Sequence, residues 1–170
     1  MITHKENSNI LEVKGGIICH QVNCLGVMGK GLALQIKILH KNLFKEYKST
    51  CNLYTNNKRE LLGKVLFYNV NNRLTIANCF AQLGVIQNNK DIATLYDKLE
   101  ECFIKVCKLG IDTDRTVHVP YNIGCGYGGG DWSIVYPIIE KVFKEGKCYI
   151  HSLPGTVFTS RYKPKIPPAV

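Results

Sequence analysis

The chain has 170 residues, 45% of them hydrophobic, and a formal net charge of +9. That length suits one domain with a full core, and the apolar share is ordinary for a globular protein, which excludes collagenous and disordered classes. No apolar run reaches membrane-spanning length, and Met1-Ile2-Thr3-His4-Lys5-Glu6 lacks the hydrophobic segment of a signal peptide; a cytoplasmic or nuclear location is expected, with no membrane partner.

Lysines dominate the charge and are spread along the chain. A basic surface favours polyanions. Only four arginines occur, Arg59, Arg73, Arg115 and Arg161. The interleaved aromatic and Arg pattern of a nucleic-acid platform is missing, so the charge permits an anionic ligand and a nucleic-acid partner is not expected. Of the eight cysteines, Cys19, Cys79, Cys102, Cys107 and Cys148 sit inside apolar strand or helix patterns. No Cys-x-x-Cys pair occurs. Buried reduced thiols are expected, with no metal and no cofactor.

In chain order, residues 9–13 are a short strand candidate and Gly15-Gly16 a turn. Ile17 to Val22 is an apolar run suited to a central strand covered on both faces. From Gly31 the period changes: Leu32, Ile36, Leu39, Leu43 and Tyr47 recur at three and four residues, an amphipathic helix broken near Asn42. Val65–Val70 and Leu74–Phe80 flank Asn71-Asn72 and predict a hairpin. Asp91 opens a helix with apolar positions Ile92, Leu95, Tyr96, Leu99, Cys102, Phe103, Val106 and Cys107, and Gly110 stops it. Thr116–Val119 is a strand. Asp131 or Ser133 caps the next helix, which buries Val135, Ile138, Ile139, Val142 and Phe143 and ends at Gly146. Cys148–His151 is a last strand. After Leu153 the chain turns to prolines and basic residues. The order predicts one domain over 1–153, α/β with a central mixed sheet between two helical layers, and an irregular tail over 154–170.

Two stretches share one grammar of strand end, glycine loop and helix start. The first runs His20-Gln21-Val22-Asn23-Cys24-Leu25-Gly26-Val27-Met28-Gly29-Lys30-Gly31-Leu32-Ala33. The second runs Val119-Pro120-Tyr121-Asn122-Ile123-Gly124-Cys125-Gly126-Tyr127-Gly128-Gly129-Gly130-Asp131-Trp132. Loops without Cβ atoms bring backbone N–H groups close to an anion, and a helix N-terminus adds partial positive charge. In such sheets ligands bind beyond the carboxyl ends of the strands, where both loops fall. Neither loop is a P-loop: Gly124 to Gly129 has the glycine spacing, but Gly130-Asp131 follows in place of Lys and a hydroxyl. The Rossmann glycine pattern fails in the first loop. It is met in the second without an acidic residue ending a following strand.

Together the two motifs resemble the macro domain family. The resemblance covers about residues 2–153 and is closest to the branch with ADP-ribose-1″-phosphate phosphatases and ADP-ribosyl-glutamate hydrolases. It implies a three-layer α/β/α fold and ADP-ribose, or a derivative, as partner. It also implies that Gly26, Val27, Met28, Gly29, Lys30 and Gly31 wrap the distal ribose and part of the diphosphate. Ile123, Gly124, Cys125, Gly126, Tyr127 and Gly128 would cover the diphosphate from the other side, and Asn23 would bond the distal ribose. Asn9 stands where the family usually has an acidic reader of the adenine amino group. An amide both donates and accepts, so Asn9 can still bond adenine, though with less strict selection.

Several residues admit two readings. His20 either positions or deprotonates a water near the distal ribose, or is a hydrogen-bonded core histidine. Asp131 is a helix cap or a catalytic group. Lys30 reaches a phosphate or is solvated. Asn78 and Gln82 contact ligand or are strand-end polar groups. Cys24 and Cys125 lack an adjacent histidine and read as packing residues. The glutamate-hydrolase branch uses a lysine after the hairpin and an Asp in the second loop. Here Ile76-Ala77-Asn78-Cys79-Phe80-Ala81-Gln82 has no Lys, and Tyr127-Gly128-Gly129 stands where the Asp would be, so that route is not expected. The expectation is ADP-ribose binding with slow hydrolysis of ADP-ribose 1″-phosphate, using His20, Asn23 and Asp131. The alternatives are a non-catalytic nucleotide binder or signal sponge, and a hydrolase acting on ADP-ribosylated protein.

Overall fold

The computed structural model describes residues 1–85 and 93–158. A six-stranded sheet has the order β1-β6-β5-β2-β4-β3. The strands are β1 (Ile2–Lys5), β2 (Gly16–Asn23), β3 (Val65–Asn69), β4 (Leu74–Gln82), β5 (Val117–Pro120) and β6 (Cys148–His151). All neighbours are parallel except β3 with β4. The helices are α1 (Gly31–Leu39), α2 (Lys41–Leu53), α3 (Tyr96–Asp112) and α4 (Trp132–Val142). The architecture is three-layer α/β/α.

β2 organises the sheet because both of its faces are apolar. Ile17 and Cys19 join Ala77, Cys79, Val117 and Val119 against α3 and α4. Ile18 and Val22 join Ile76 and Phe80 against α1 and α2, through Ile36, Leu43 and Tyr47. Side chains alternate faces along a strand, so two layers are satisfied by one run. Each such aliphatic side chain, fully buried, contributes about 1.5–3 kcal/mol. β2 pairs with β4 on one side and β5 on the other, so the loops leaving β2 and β5 emerge side by side at one edge.

Several expectations are corrected. Residues 9–13 are not a strand: Ile10–Glu12 form a 3-10 turn, because the Asn9 side chain accepts from Leu11 N and offers the backbone a local alternative. The edge strand is instead Ile2–Lys5, parallel to β6. The α1–α2 break falls at His40, and Leu39 faces solvent at 58% exposure. The third helix begins at Tyr96; Asp91 and Ile92 lie outside the described residues. Gly110 is inside that helix and does not stop it. A Cβ there would come within 3.0 Å of the Arg115 carbonyl and Val117, so this glycine lets the helix lie close on β5. α4 ends at Val142, before Gly146. Asp131, not Ser133, is its N-cap.

All eight cysteines are free thiols, and seven of them are buried. Among the described residues no helix is long and apolar enough to cross a membrane. Among those residues, too, no group of three or more His, Cys, Asp or Glu is placed to hold a metal ion.

Candidate functional site

The first loop is shaped by Asn23 at the end of β2. Its amide nitrogen donates to the Val27 carbonyl at 2.8 Å, and its oxygen accepts from Leu25 N at 2.9 Å. The Tyr47 hydroxyl, rising from α2, reaches both the Asn23 carbonyl and the side-chain oxygen at 2.7 and 2.8 Å. Asn23 is therefore the organiser of the loop that the resemblance assigns to ribose binding, with one amide hydrogen left over. Gly31 opens α1 at φ +58°, with the Tyr127 ring 3.1 Å from where its Cβ would be. The Lys30 ammonium lies 5.4 Å from the centre of the same ring, so the two glycine loops touch here.

The second loop rests on a polar pair, half-buried Gln21 and buried Thr94. Gln21 Nε2 donates to Thr94 Oγ1 at 2.8 Å and to Gln82 Oε1 at 2.9 Å. Thr94 in turn donates to the Gly124 carbonyl at 2.6 Å. Gly124 is left-handed, φ +72°, and a Cβ there would sit 2.8 Å from Gln21 Oε1, so only glycine fits. Sequence reasoning missed Gln21, Thr94 and Tyr47. Gln21 is the first polar residue to follow Ile17 and Cys19 on one face of the strand, which is the signal that points to it.

Both loops present unused donors. Among the described residues, the backbone N–H groups of Met28, Gly29, Lys30 and Gly31 donate to nothing. The same is true of Gly124, Gly126, Tyr127 and Gly128. Of these residues, Gly29, Lys30, Gly31, Gly126 and Tyr127 are exposed, Gly124 is half-buried, and Met28 and Gly128 are buried. Convergent free amides at a helix N-terminus form an anion site without side-chain charge.

The other sequence candidates are placed differently. His20 faces the α1 layer, buried, with its Nε2 2.6 Å from Asn78 Oδ1. Asn78 donates to the Leu66 carbonyl, so its oxygen is the acceptor and His20 Nε2 carries the proton. Its other ring nitrogen, Nδ1, is buried and has no hydrogen-bond partner among the described residues. Burial lowers the His20 pKa to about 4, against the opposing Asn78 bond, so the ring is neutral at pH 7. Asn78 is completely buried and spends its amide on these two bonds; the structure does not bring it to the cleft surface. Asp131 caps α4 on the opposite sheet face, accepting from Ser133 N at 2.9 Å and Ser133 Oγ at 2.7 Å. His20, Asn23 and Asp131 are thus not assembled into one cluster. Burial pushes the Cys24 thiol up to about 12; the Cys125 thiol is raised similarly by burial and then by Asp131, so neither is an activated nucleophile.

Asn9 caps the 3-10 turn that precedes β2. Its oxygen is taken by Leu11 N, and the neighbouring Ser8 is tied to β6 by Ser8 N to the Ser152 carbonyl, 2.9 Å. Ser8 Oγ also bonds His151 Nδ1 at 2.8 Å, and His151 Nε2 bonds His118 Nδ1 at 2.8 Å. From the tail region, Phe158 packs edge-on against Tyr121, with ring centres 4.8 Å apart.

The chain has a macrodomain fold. Among solved structures it is similar to a protein of unknown function from Bacteroides thetaiotaomicron, at 29% identity and a TM-score of 0.75, covering 90% of this chain and 98% of that one. It is also similar to the macrodomain of Mycobacterium tuberculosis DarG, at 24% identity and a TM-score of 0.72, covering 89% and 97%. A third is Thermosipho africanus DarTG in complex with ADP-ribose, at 24% identity and a TM-score of 0.63, covering 82% of this chain and 38% of that one. No family model and no curated protein matches the chain.

Proposed function

We propose that the chain is a macrodomain that binds ADP-ribose, or a close derivative, with the diphosphate between the two glycine loops. The carrying observation is that, among the described residues, the backbone N–H groups of Met28, Gly29, Lys30 and Gly31 and of Gly124, Gly126, Tyr127 and Gly128 are unpaired on two neighbouring loops at the carboxyl ends of β2 and β5. A diphosphate spans two such sets, and hydrogen bonds to a charged oxygen contribute about 1.5–3 kcal/mol each. Asn9, with its amide hydrogens, stands at the adenine end, and the spare Asn23 hydrogen serves the distal ribose. The solved DarTG relative in complex with ADP-ribose supports the ligand class.

A second reading, slow hydrolysis of ADP-ribose 1″-phosphate, is favoured by one observation. The His20 Nδ1 lone pair is fixed by its tautomer and has no partner among the described residues. Water would attack phosphorus, the P–O1″ bond would break with its electron pair leaving on O1″, and the proton of the water, relayed through intervening water to that lone pair, would be returned to O1″. Two features hold the rate down. His20 lies three residues before Asn23, about 10 Å down the strand. Its lowered pKa also makes it a weak base. The test is phosphate release from ADP-ribose 1″-phosphate by wild type, His20→Ala and Asp131→Ala, with ADP-ribose affinity measured on each. Affinity with no release leaves a binder; release lost only in His20→Ala assigns the base; absence of affinity in wild type removes the whole reading.

A further inference from the structure

Outside the glycine loops, the outer face of α1 and α2 carries an open groove. The groove, about 720 Å³, runs between them, lined by Lys37, Ile38, Lys41, Phe44, Lys45 and Lys48. On α2, Lys41, Lys45, Lys48 and Asn52 follow one another at four, three and four residues, so they form one stripe along the rim. The apolar part is open to solvent: Ile38 is 62% exposed and neighbouring Leu39 58%. A monomer gains nothing from leaving such a patch bare.

The charge is equally one-sided. Residues 31–53 carry Lys37, Lys41, Lys45 and Lys48 against Glu46 alone. On α3 and α4, three of the four lysines meet a carboxylate, Lys98 with Glu101, Lys108 with Asp112 and Lys141 with Glu100, and the fourth, Lys105, donates to the Gly63 carbonyl. Among the described residues none of the four groove lysines meets a carboxylate. Lys37 instead lays its ammonium over the Phe44 ring at 4.2 Å.

We propose that this groove docks an acidic amphipathic helix of a partner protein, its apolar side chains on Ile38 and Phe44 and its carboxylates on the lysine rim. Apolar floor and like-charged rim are the two halves of helix-in-groove recognition. The rim from Lys41 to Asn52 spans eleven steps, about 16 Å, which matches roughly three turns of an occupant helix. A nucleic acid fits less well: the floor holds a single aromatic ring, Phe44, so successive bases find no row of stacking surfaces. The inference does not depend on the ligand of the glycine loops.

The probe is a fluorescent Glu/Leu peptide of about 18 residues with leucines at helical spacing, read by anisotropy at low and physiological salt. Controls are a peptide of the same composition in scrambled order, an oligothymidylate, and phosphatidylserine vesicles. Saturable binding of the patterned peptide is expected. It should weaken at least about tenfold in Ile38→Ser and in the Lys41→Glu/Lys45→Glu double variant. Both changes are at exposed positions, so thermal melts and ADP-ribose titrations should match wild type and separate loss of docking from loss of fold. No peptide binding, equal binding of the scrambled peptide, unchanged affinity in the variants, or tighter binding of the oligonucleotide or vesicles each overturns the proposal.

Discussion

Gly126→Glu places a negative charge in the proposed diphosphate site without disturbing the loop that carries it. A Cβ at Gly126 meets nothing within 4 Å, and Gly126 is not among the left-handed glycines. Neither steric nor backbone strain opposes the change. Losing a glycine from a loop also restricts the unfolded chain, which adds about 0.4–1 kcal/mol of stability where the native conformation is compatible. The penalty falls on the ligand. A carboxylate about 5 Å from one phosphate charge costs about 3 kcal/mol at an effective dielectric constant of about 20. Screening over an exposed loop roughly halves this, and two phosphate charges restore it to about 3 kcal/mol in total. That is a loss of affinity of about a hundredfold. The assay is calorimetric titration with ADP-ribose, with a thermal melt of the same preparation. A variant with wild-type melting and wild-type affinity would refute the reasoning, because the free Gly126 amide would not then face a phosphate.

Two further outcomes follow from the buried polar groups. The His20 pKa is about 4 in the folded chain, against the ordinary histidine value of 6.5, so the unfolded chain takes up the proton first as pH falls. The neutral ring's contribution is fully present above about pH 6.5 and is lost between there and pH 4, a change of about 3 kcal/mol. Urea midpoints against pH for wild type and His20→Asn should diverge over that window and run parallel above it; parallel curves throughout would deny the burial effect. Gln21→Leu removes the donors to Thr94 and Gln82 beneath the second loop. It should cost about 1–3 kcal/mol of stability and weaken ADP-ribose binding about tenfold, read by melting and calorimetry. Unchanged affinity in a destabilised variant would show that the loop holds its shape without this support.

The central strands are legible in the sequence because β2, β4 and β5 are apolar runs that end at turn or glycine signals, and the hairpin because Asn71 uses its side chain to close the turn on Arg73 N and Leu74 N. β1 is not, since its four residues include Thr, His and Lys and it becomes a strand only by pairing with β6. Asn9 reads as part of a strand because nothing local reveals that its side chain bonds Leu11 N. The glycine loops are visible as sequence, but what shapes them is not. Thr94 meets Gln21 across 73 residues and Tyr47 meets Asn23 across 24. Periodicity alone assigns Tyr47 to the core, where its ring does lie, and is silent about its hydroxyl. Asn78 reads as a strand-end polar group because the apolar run of β4 stops at Phe80; the strand itself goes on to Gln82, and Asn78 falls inside the layer beside His20.

The most direct measurement of the central claim is the amide proton–nitrogen spectrum of the labelled protein titrated with ADP-ribose. The free N–H groups of Gly29, Gly31, Gly124, Gly126 and Gly128 should shift together and saturate at one ligand per chain, because each gains a charged acceptor where it now has none among the described residues. Saturating shifts confined to other parts of the molecule, with these glycine amides unmoved, would contradict the account.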